Sequence, residues 1–285
     1  MASMANGANN SQGTHGNAVR AILLATLLVS VAAAWWLTQT RGKSQRVAKQ
    51  ILADLRAGGL GQTWGKEPSR LLLIGRDAKG KPVAWRVYLR DRTEQGYAGQ
   101  MLDRFAPAIA GARWTLTEDA SVGDYRSDVR ADVRAAGGST MVALRQGRIT
   151  IIESRGTLGR RASAGVPDNY IPEGMRSAVM WEVARRGEEA TFATTYDGKS
   201  IADARVQFAT ITMTPQGPRT VRVGKAAVYE FDEAGEVSRI DDALGITYVR
   251  VGVEELFKTF PEARRLMPET DDASEEANTQ STPAQ

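Results

Sequence analysis

The feature that most constrains this chain is an apolar run near its start. Between Arg20 and Arg41 the sequence carries no charged side chain. As a helix at about 1.5 Å per residue, residues 18–38 match the ~30 Å hydrocarbon thickness of a bilayer. Trp35 and Trp36 lie at the end of the run, and amphipathic aromatic rings favour the headgroup region. The sequence therefore predicts a transmembrane helix over residues 18–38, a signal anchor with both tryptophans at the membrane interface.

A cleaved signal peptide is the alternative for residues 20–34. Such a peptide needs a basic start, a short apolar stretch and small residues before the cut. Arg20, the alanine- and leucine-rich run and the alanines at 32–34 meet these requirements. The long polar leader and the bulky tryptophan pair after the cut favour a retained anchor. The lipid bilayer is then the first expected partner.

The charge around this run bears on its orientation. Residues 41–56 carry five bases and one acid, which by the positive-inside rule favours a cytoplasmic domain. Large domains translocate largely regardless of charge, however, and the short leader before a single span usually stays inside. We therefore predict a single-pass protein whose large domain is extracytoplasmic, in the periplasm.

Beyond residue 60 the spacing of the apolar residues changes from the period of about 3.6 typical of a helix to the period of two typical of strands. The runs "RLLLIGRD" and "PVAWRVYLRD" flank "AKGK", a pattern typical of a β-hairpin. Similar runs continue to "ITYVRVG", interrupted by the helical pattern "IPEGMRSAVMWEVARRG" and followed by "VEELFKTF". We predict a mainly β (α+β) fold: a large, curved, half-barrel-like antiparallel sheet over residues 62–266. One or two helices pack on it, and the helix at 173–186 fills its concave face.

The remaining segments are predicted from composition and periodicity. Residues 1–17 are small and polar, and residues 267–285 are acidic and polar, so both are predicted to be disordered. Residues 44–58 form an amphipathic helix, either a stalk or a helix that docks on the domain. Docking is favoured because the stripe of Val47, Ile51 and Leu55 would otherwise stay in water.

Strand order and a few short strings carry a family resemblance. The element "NYIPEGM" before a helix and the late hairpin "VYEFDEAGEVSRID" stand in a series of long antiparallel strands. Over residues 70–260 this arrangement resembles bacterial exported β-sheet proteins of uncharacterised family, which are similar to the lipoprotein-carrier (Lol-type) half-barrel. The resemblance implies a concave apolar face that holds a lipid, an apolar chain or a partner helix. It assigns no functional residue.

The residue types that are missing limit the chemistry. The chain has no cysteine, and His15 in the polar leader is its single histidine. Thiol catalysis, a Ser-His-acid triad and Cys/His zinc sites are therefore excluded from the predicted domain. We predict no cofactor and no metal. Carboxylates such as Asp232 and Asp241 leave a carboxylate-dependent envelope hydrolase as an alternative function.

Two features are candidate ligand contacts. The stretch "SRGTLGRRASAGVPDN" is predicted to be a flexible loop in which Arg155, Arg160 and Arg161 bind phosphate or a lipid headgroup, because guanidinium pairs bidentately with such anions. Trp181, on the helix assigned to the concave face, is predicted to line an apolar groove.

These observations predict a membrane-anchored cell-envelope protein whose domain binds or scaffolds without catalysis. Its expected partner beyond the bilayer is a lipid or an envelope protein. The net charge of +4 and pI near 9.4 suggest a cytoplasm-facing nucleic-acid binder as a further alternative. The mixed signs along the domain make nucleic acid the less favoured partner. The sequence sets no oligomeric state.

Overall fold

The structure is a computed structural model. It describes residues 26–31, 42–65, 67–105, 108–131, 138–155, 158–195, 201–225 and 227–267. The predicted leader, the tryptophan pair at 35–36 and residues 268–285 lie outside these ranges, and of the predicted transmembrane segment only residues 26–31, which are helical, lie within them. Within the described ranges, no helix combines the length and apolar composition that a membrane crossing requires.

One antiparallel sheet dominates the molecule. Its 14 strands follow the order β8-β7-β6-β5-β4-β3-β2-β1-β16-β15-β14-β13-β12-β9. Strands β1 to β8 form one meander. Strands β12 to β16 form a second meander, and β16 pairs with β1 to join the two. This confirms the predicted large, curved antiparallel sheet with few helices. The strands are β1 Ser69–Arg76, β2 Pro82–Thr93, β3 Gly96–Phe105, β4 Ala108–Thr117, β5 Val122–Ala131, β6 Gly138–Arg145, β7 Arg148–Arg155, β8 Leu158–Gly165, β9 Ala190–Thr194, β12 Ala209–Gly217, β13 Thr220–Val223, β14 Ala227–Phe231, β15 Val237–Asp242 and β16 Thr247–Arg250, with β10 Ile201–Ala202 and β11 Arg205–Val206 in a separate pair.

Five helices accompany the sheet in the described ranges from residue 42 onward. They are α1 at 42–58, α2 Leu60–Trp64, α3 Arg176–Arg186, α4 Val253–Thr259 and α5 Ala263–Leu266; a 3-10 turn, Glu173–Met175, precedes α3. The apolar side of α1 lies in the same buried core as α3. An ion pair of 2.8 Å between Asp54 and Arg186 also joins the two helices. Because its apolar stripe is buried, α1 is packed on the domain in this structure.

The two faces of the sheet bury different helices. The inner face, defined as the one against α1, α2 and α3, contributes Leu71 and Leu73 of β1 to the larger core. The outer face contributes the intervening Leu72 and Ile74, which pack with α4 and α5. This alternation is the period of two expected for a strand that is buried on both faces. The outer-face cluster comprises Leu72, Ile74, Trp85, Val87, Leu102, Leu256, Phe260 and Ala263.

The prediction of a flexible loop after residue 154 is wrong. Leu158–Gly165 form strand β8, which pairs with β7 along its whole length at the edge of the sheet. Buried and exposed side chains alternate along this strand, for example buried Ala162 beside exposed Arg161, but its many glycines and arginines make the pattern difficult to recognise in the sequence. A strand at a sheet edge is paired on one side only, and its composition is therefore more polar than that of a central strand.

Candidate functional site

Strand register places a continuous row of side chains on the inner face. Directly paired residues of antiparallel strands point to the same face of a sheet. Starting from Leu71 in β1, the paired residues cross seven further strands and end at the sheet edge. The row is Leu71, Tyr88, Met101, Ala112, Ser127, Thr140, Glu153 and Arg160.

Two adjoining cavities lie on this face, and we call them together the groove. The first, of about 490 Å³, lies between strands β3–β7 and residues 170–174. The second, of about 380 Å³, lies between β1–β4, α3 and the β14–β15 strands. Both volumes fall within the range of about 300–1,000 Å³ typical of small-molecule pockets. The residues that line both cavities are Met101, Ala112, Trp114, Tyr125, Glu173 and Gly174.

Trp114 stands at the junction of the two cavities, and glycines hold it there. Its ring covers Gly99, the residue paired with it on β3, so closely that a β-carbon at Gly99 would collide with the indole. On the other side, a β-carbon at Gly174 would lie 2.6 Å from the ring. Trp64 packs beside it with ring centroids 5.7 Å apart. The shape of the groove therefore depends on the absence of side chains at two positions.

Charged groups in the second cavity are already paired. Two of the arginines lie over aromatic rings: the guanidinium carbon of Arg86 is 4.2 Å from the centroid of the Tyr248 ring, and that of Arg90 is 4.9 Å from the centroid of the Trp64 ring. Each guanidinium is neutralised by a carboxylate of the protein, so these pairs add no net charge to the groove. The three ion pairs are Arg86–Asp103 at 2.9 Å, Arg90–Glu236 at 3.0 Å and Arg176–Glu173 at 3.3 Å.

Burial shifts the ionisation of several groups in and beside the groove. It raises the pKa of Asp103 above the usual carboxyl range, although the neighbouring Arg86 acts in the opposite direction. It likewise raises the pKa of Glu173, against the effect of Arg176. Burial also raises the pKa of Tyr248 to about 12. These directions follow from the cost of holding a charge in an environment of low polarity.

The raised pKa of Glu173 predicts a specific pH dependence. A carboxyl whose folded pKa exceeds its unfolded pKa keeps its proton longer in the folded state, so the free energy of unfolding falls as pH rises between the two values. Glu173→Gln cannot titrate. The free energy of unfolding of this variant minus that of the wild type should therefore increase with pH through that window.

Urea unfolding from about pH 4 to about pH 7 checks this expectation. The same change at the exposed Glu188 provides the baseline. A variant-minus-wild-type difference that decreases with pH would contradict the assignment.

The predicted contact residues lie in different places. Arg155 ends β7, whereas Arg160 and Arg161 are consecutive residues of β8, exposed on opposite faces. The described residues that line the groove do not include Arg160 or Arg161. Trp181 lines the second cavity and packs against Phe231 with ring centroids 5.7 Å apart.

Sequence reasoning missed the arginines that do line the groove. Arg86 and Arg90 flank Tyr88 at alternate positions of β2, so the strand period puts all three side chains on one face. The sequence indicates this arrangement in "AWRVYLRD", where Tyr88 and Arg90 follow Arg86 by two and four positions. On sequence alone this run indicates only one strand of a β-hairpin.

The turn carboxylates considered for a hydrolase have structural roles. Asp232 accepts hydrogen bonds from the amides of Ala234 and Glu236 and pairs with Arg250 at 3.0 Å. Asp241 accepts hydrogen bonds from Arg239 and Thr247. Across the described ranges, no group of three or more His, Cys, Asp or Glu side chains is arranged to hold a metal ion.

Comparisons of the chain with protein-family models, with curated proteins and with solved structures found no match. The assignment of a function to the groove therefore depends on its geometry and chemistry.

Proposed function

We propose that this protein binds an amphiphilic molecule by enclosing its apolar chain in the groove, without covalent chemistry. The observation that carries this proposal is the pair of adjoining cavities on the inner face, lined by apolar and aromatic side chains. Met101, Ala112 and Trp114 lie where the cavities meet. Two adjoining cavities of this kind suit a long flexible chain better than a compact polar metabolite.

Buried area supplies the affinity. Enclosing roughly 200–400 Å² of hydrocarbon surface at about 25 cal/mol per Å² yields roughly 5–10 kcal/mol, before the cost of immobilising the ligand. The walls of the second cavity provide such surface through Trp181, Val237 and Ile240. The charged side chains there are engaged with one another, so a hydrocarbon chain does not have to separate them.

Polar contacts for the other end of the ligand are available in the first cavity. Hydroxyl-bearing side chains line it on two strands and near the chain entering α3: Ser127, Thr140 and Thr195. Hydroxyl groups both donate and accept hydrogen bonds. The groove therefore fits an amphiphile whose head group is polar and forms hydrogen bonds, rather than one that needs an excess of positive charge.

The proposed setting is the bacterial cell envelope. The uncharged run between Arg20 and Arg41 supports an anchor in the bilayer, with the sheet domain in the periplasm. An anchored domain of this kind would receive its ligand from the membrane or pass it to the membrane. A partner protein's apolar segment is the other occupant considered from the sequence, and cavities of a few hundred Å³ favour the smaller guest.

Photolabelling of the full chain tests the proposal. The detergent-solubilised protein is equilibrated with a monoacylglycerol that carries a diazirine near the methyl end of its chain, irradiated and mapped by peptide mass spectrometry. We expect saturable labelling of groove residues such as Met101, Ala112 and Tyr125, displaced by unlabelled monoacylglycerol. Labelling confined to residues 18–38 or to the outer face, or labelling that does not saturate, would contradict it.

A further inference from the structure

Three turns lie side by side at one end of the sheet. They connect six consecutive strands, in the order β2-β1-β16-β15-β14-β13, and each turn joins two neighbours. Register places the turns at the same end, because Arg76 is paired with Thr247 and Ala227 is paired with Asp242. With strands about 4.8 Å apart, successive turns lie about 10 Å from one another. Their described residues are 77–81, 243–246 and 224–225.

The long side chains exposed on these turns are lysines around one leucine. Leu244 in the middle turn is 70% exposed. Lys79 and Lys81 are exposed in the turn on one side of it, and Lys225 is exposed in the turn on the other side. Across the described ranges, none of these lysines forms an ion pair. We call the four residues the lysine edge, which combines an apolar tip with flanking cations.

The acidic side chains at this end of the sheet are engaged within the domain. Asp77 and Asp242 each accept hydrogen bonds from two backbone amides of their own turn. The lysine edge therefore presents positive charge around an exposed leucine. Surfaces of this composition bind anionic bilayers, by attraction to the headgroups and by burial of the apolar residue. The remaining acids form the ion pairs Asp241–Arg239 at 2.9 Å and Glu255–Arg76 at 3.5 Å.

The second cavity of the groove extends to the lysine edge. Ala243 and Leu244 are among the residues that line this cavity. Because most of the Leu244 side chain is also exposed, this residue stands at an opening of the cavity. A molecule that enters or leaves the groove at this end passes the exposed leucine.

The start of α1 lies at the same end of the sheet. The Ser44 hydroxyl accepts a hydrogen bond of 3.0 Å from Thr191, whose hydroxyl is 3.1 Å from that of Thr212. The Thr212 carbonyl in turn accepts a hydrogen bond of 2.7 Å from the amide of Gly224 in the β13–β14 turn. The predicted transmembrane segment ends four residues before α1, a separation of at most about 14 Å. An anchor at that position would hold the lysine edge close to the bilayer.

We propose that the lysine edge binds an anionic bilayer, with Leu244 inserted among the lipid headgroups and the three lysines at their phosphates. A second copy of the chain fits this surface less well, because it would bring the same lysines against one another. Binding of the bilayer does not require a ligand in the groove. Its consequence, that an amphiphile passes between the bilayer and the second cavity at Leu244, rests on the proposed function.

Site-directed fluorescence tests this proposal, because the natural chain has no cysteine that would interfere. Ala243→Cys and Ala234→Cys place a single label in exposed turns at opposite ends of β15. Each variant of the full chain carries the fluorophore NBD and is reconstituted in vesicles of phosphatidylglycerol and phosphatidylcholine that contain a doxyl-labelled lipid. We expect the doxyl lipid to quench the label at position 243 at least about threefold more than the label at position 234. Circular dichroism confirms that both variants fold.

Charge dependence completes the test. Combining Lys79→Gln, Lys81→Gln and Lys225→Gln, or using vesicles of phosphatidylcholine alone, should lower the quenching at position 243 to the level at position 234. Equal quenching at the two positions with the natural lysines, or quenching at position 243 that the glutamines leave unchanged, would overturn the proposal. A blue-shifted emission at position 243 without quenching by the doxyl lipid would do so in favour of a second copy of the chain.

This result is separable from the test of the groove. Photolabelling of the groove is carried out in detergent, without a bilayer, and does not involve the three lysines. Retained photolabelling with equal quenching at the two turns would overturn the membrane contact alone. Lost photolabelling with selective quenching at position 243 would overturn the groove and leave the membrane contact.

Discussion

Replacing Trp85 with alanine should lower the free energy of unfolding by about 3–5 kcal/mol, the usual cost of removing a large aromatic side chain from a core. Trp85 is fully buried on the outer face of β2. There it packs in the cluster that joins the sheet to Phe260, which follows α4, and to Ala263 of α5. The cluster has few members, so neighbouring side chains can fill little of the space that alanine leaves.

Trp85→Phe is the matched control for this change. The indole nitrogen of Trp85 has no hydrogen-bond partner among the described residues. Phenylalanine therefore keeps most of the buried apolar surface. It also removes the indole N–H, which forms no stabilising hydrogen bond in the folded protein. Urea unfolding should show a loss for Trp85→Phe of less than half the loss for Trp85→Ala. A loss below about 1 kcal/mol for Trp85→Ala would mean that α4 and α5 contribute little to the domain.

Much of the architecture was predictable because local patterns determine it. The hairpin between β1 and β2 follows from two runs of strand type around a glycine turn. The helix predicted at 173–186 follows from apolar residues at helical spacing, and Gly187 ends it with the left-handed φ of 67° that glycine adopts readily. Each of these features depends on residues close together in the chain, which a single sequence displays.

Long-range pairing was beyond such reasoning. The contact between β1 and β16 joins residues such as Leu73 and Arg250, which are far apart in the chain. No local pattern specifies that pairing, although it determines which residues face α3. For the same reason the groove arginines went unrecognised. Their partners lie elsewhere in the chain, Asp103 on β3 and Glu236 in the turn before β15. A polar residue at an alternate strand position looks like an exposed one until the register is known.

The edge strand β8 shows a different limit. Its glycines, arginines and small residues resemble a loop in composition, and its alternation of buried and exposed positions rests on alanine, a weak apolar signal. The arginines singled out there for anion binding are consequently split between the two faces. Of the predicted contact residues whose side chains the structure describes, Trp181 alone lies where the predicted apolar groove is found.

Filling the groove with a large side chain should abolish most of its binding. Thr140 is half-buried on the inner face of β6 and lines the first cavity, whereas the next residue, Met141, is exposed on the outer face. Tryptophan at position 140 would occupy space that the ligand needs. Tryptophan at position 141 would add the same side chain to the same strand without entering the groove.

Titration of the purified full chain with the fluorescent apolar probe N-phenyl-1-naphthylamine compares the two variants most directly. The account predicts wild-type affinity for Met141→Trp and an affinity at least about tenfold weaker for Thr140→Trp, a difference of about 1.4 kcal/mol. Equal affinity of both variants, with both folded by circular dichroism, would show that the probe binds elsewhere and would contradict the groove as the binding site.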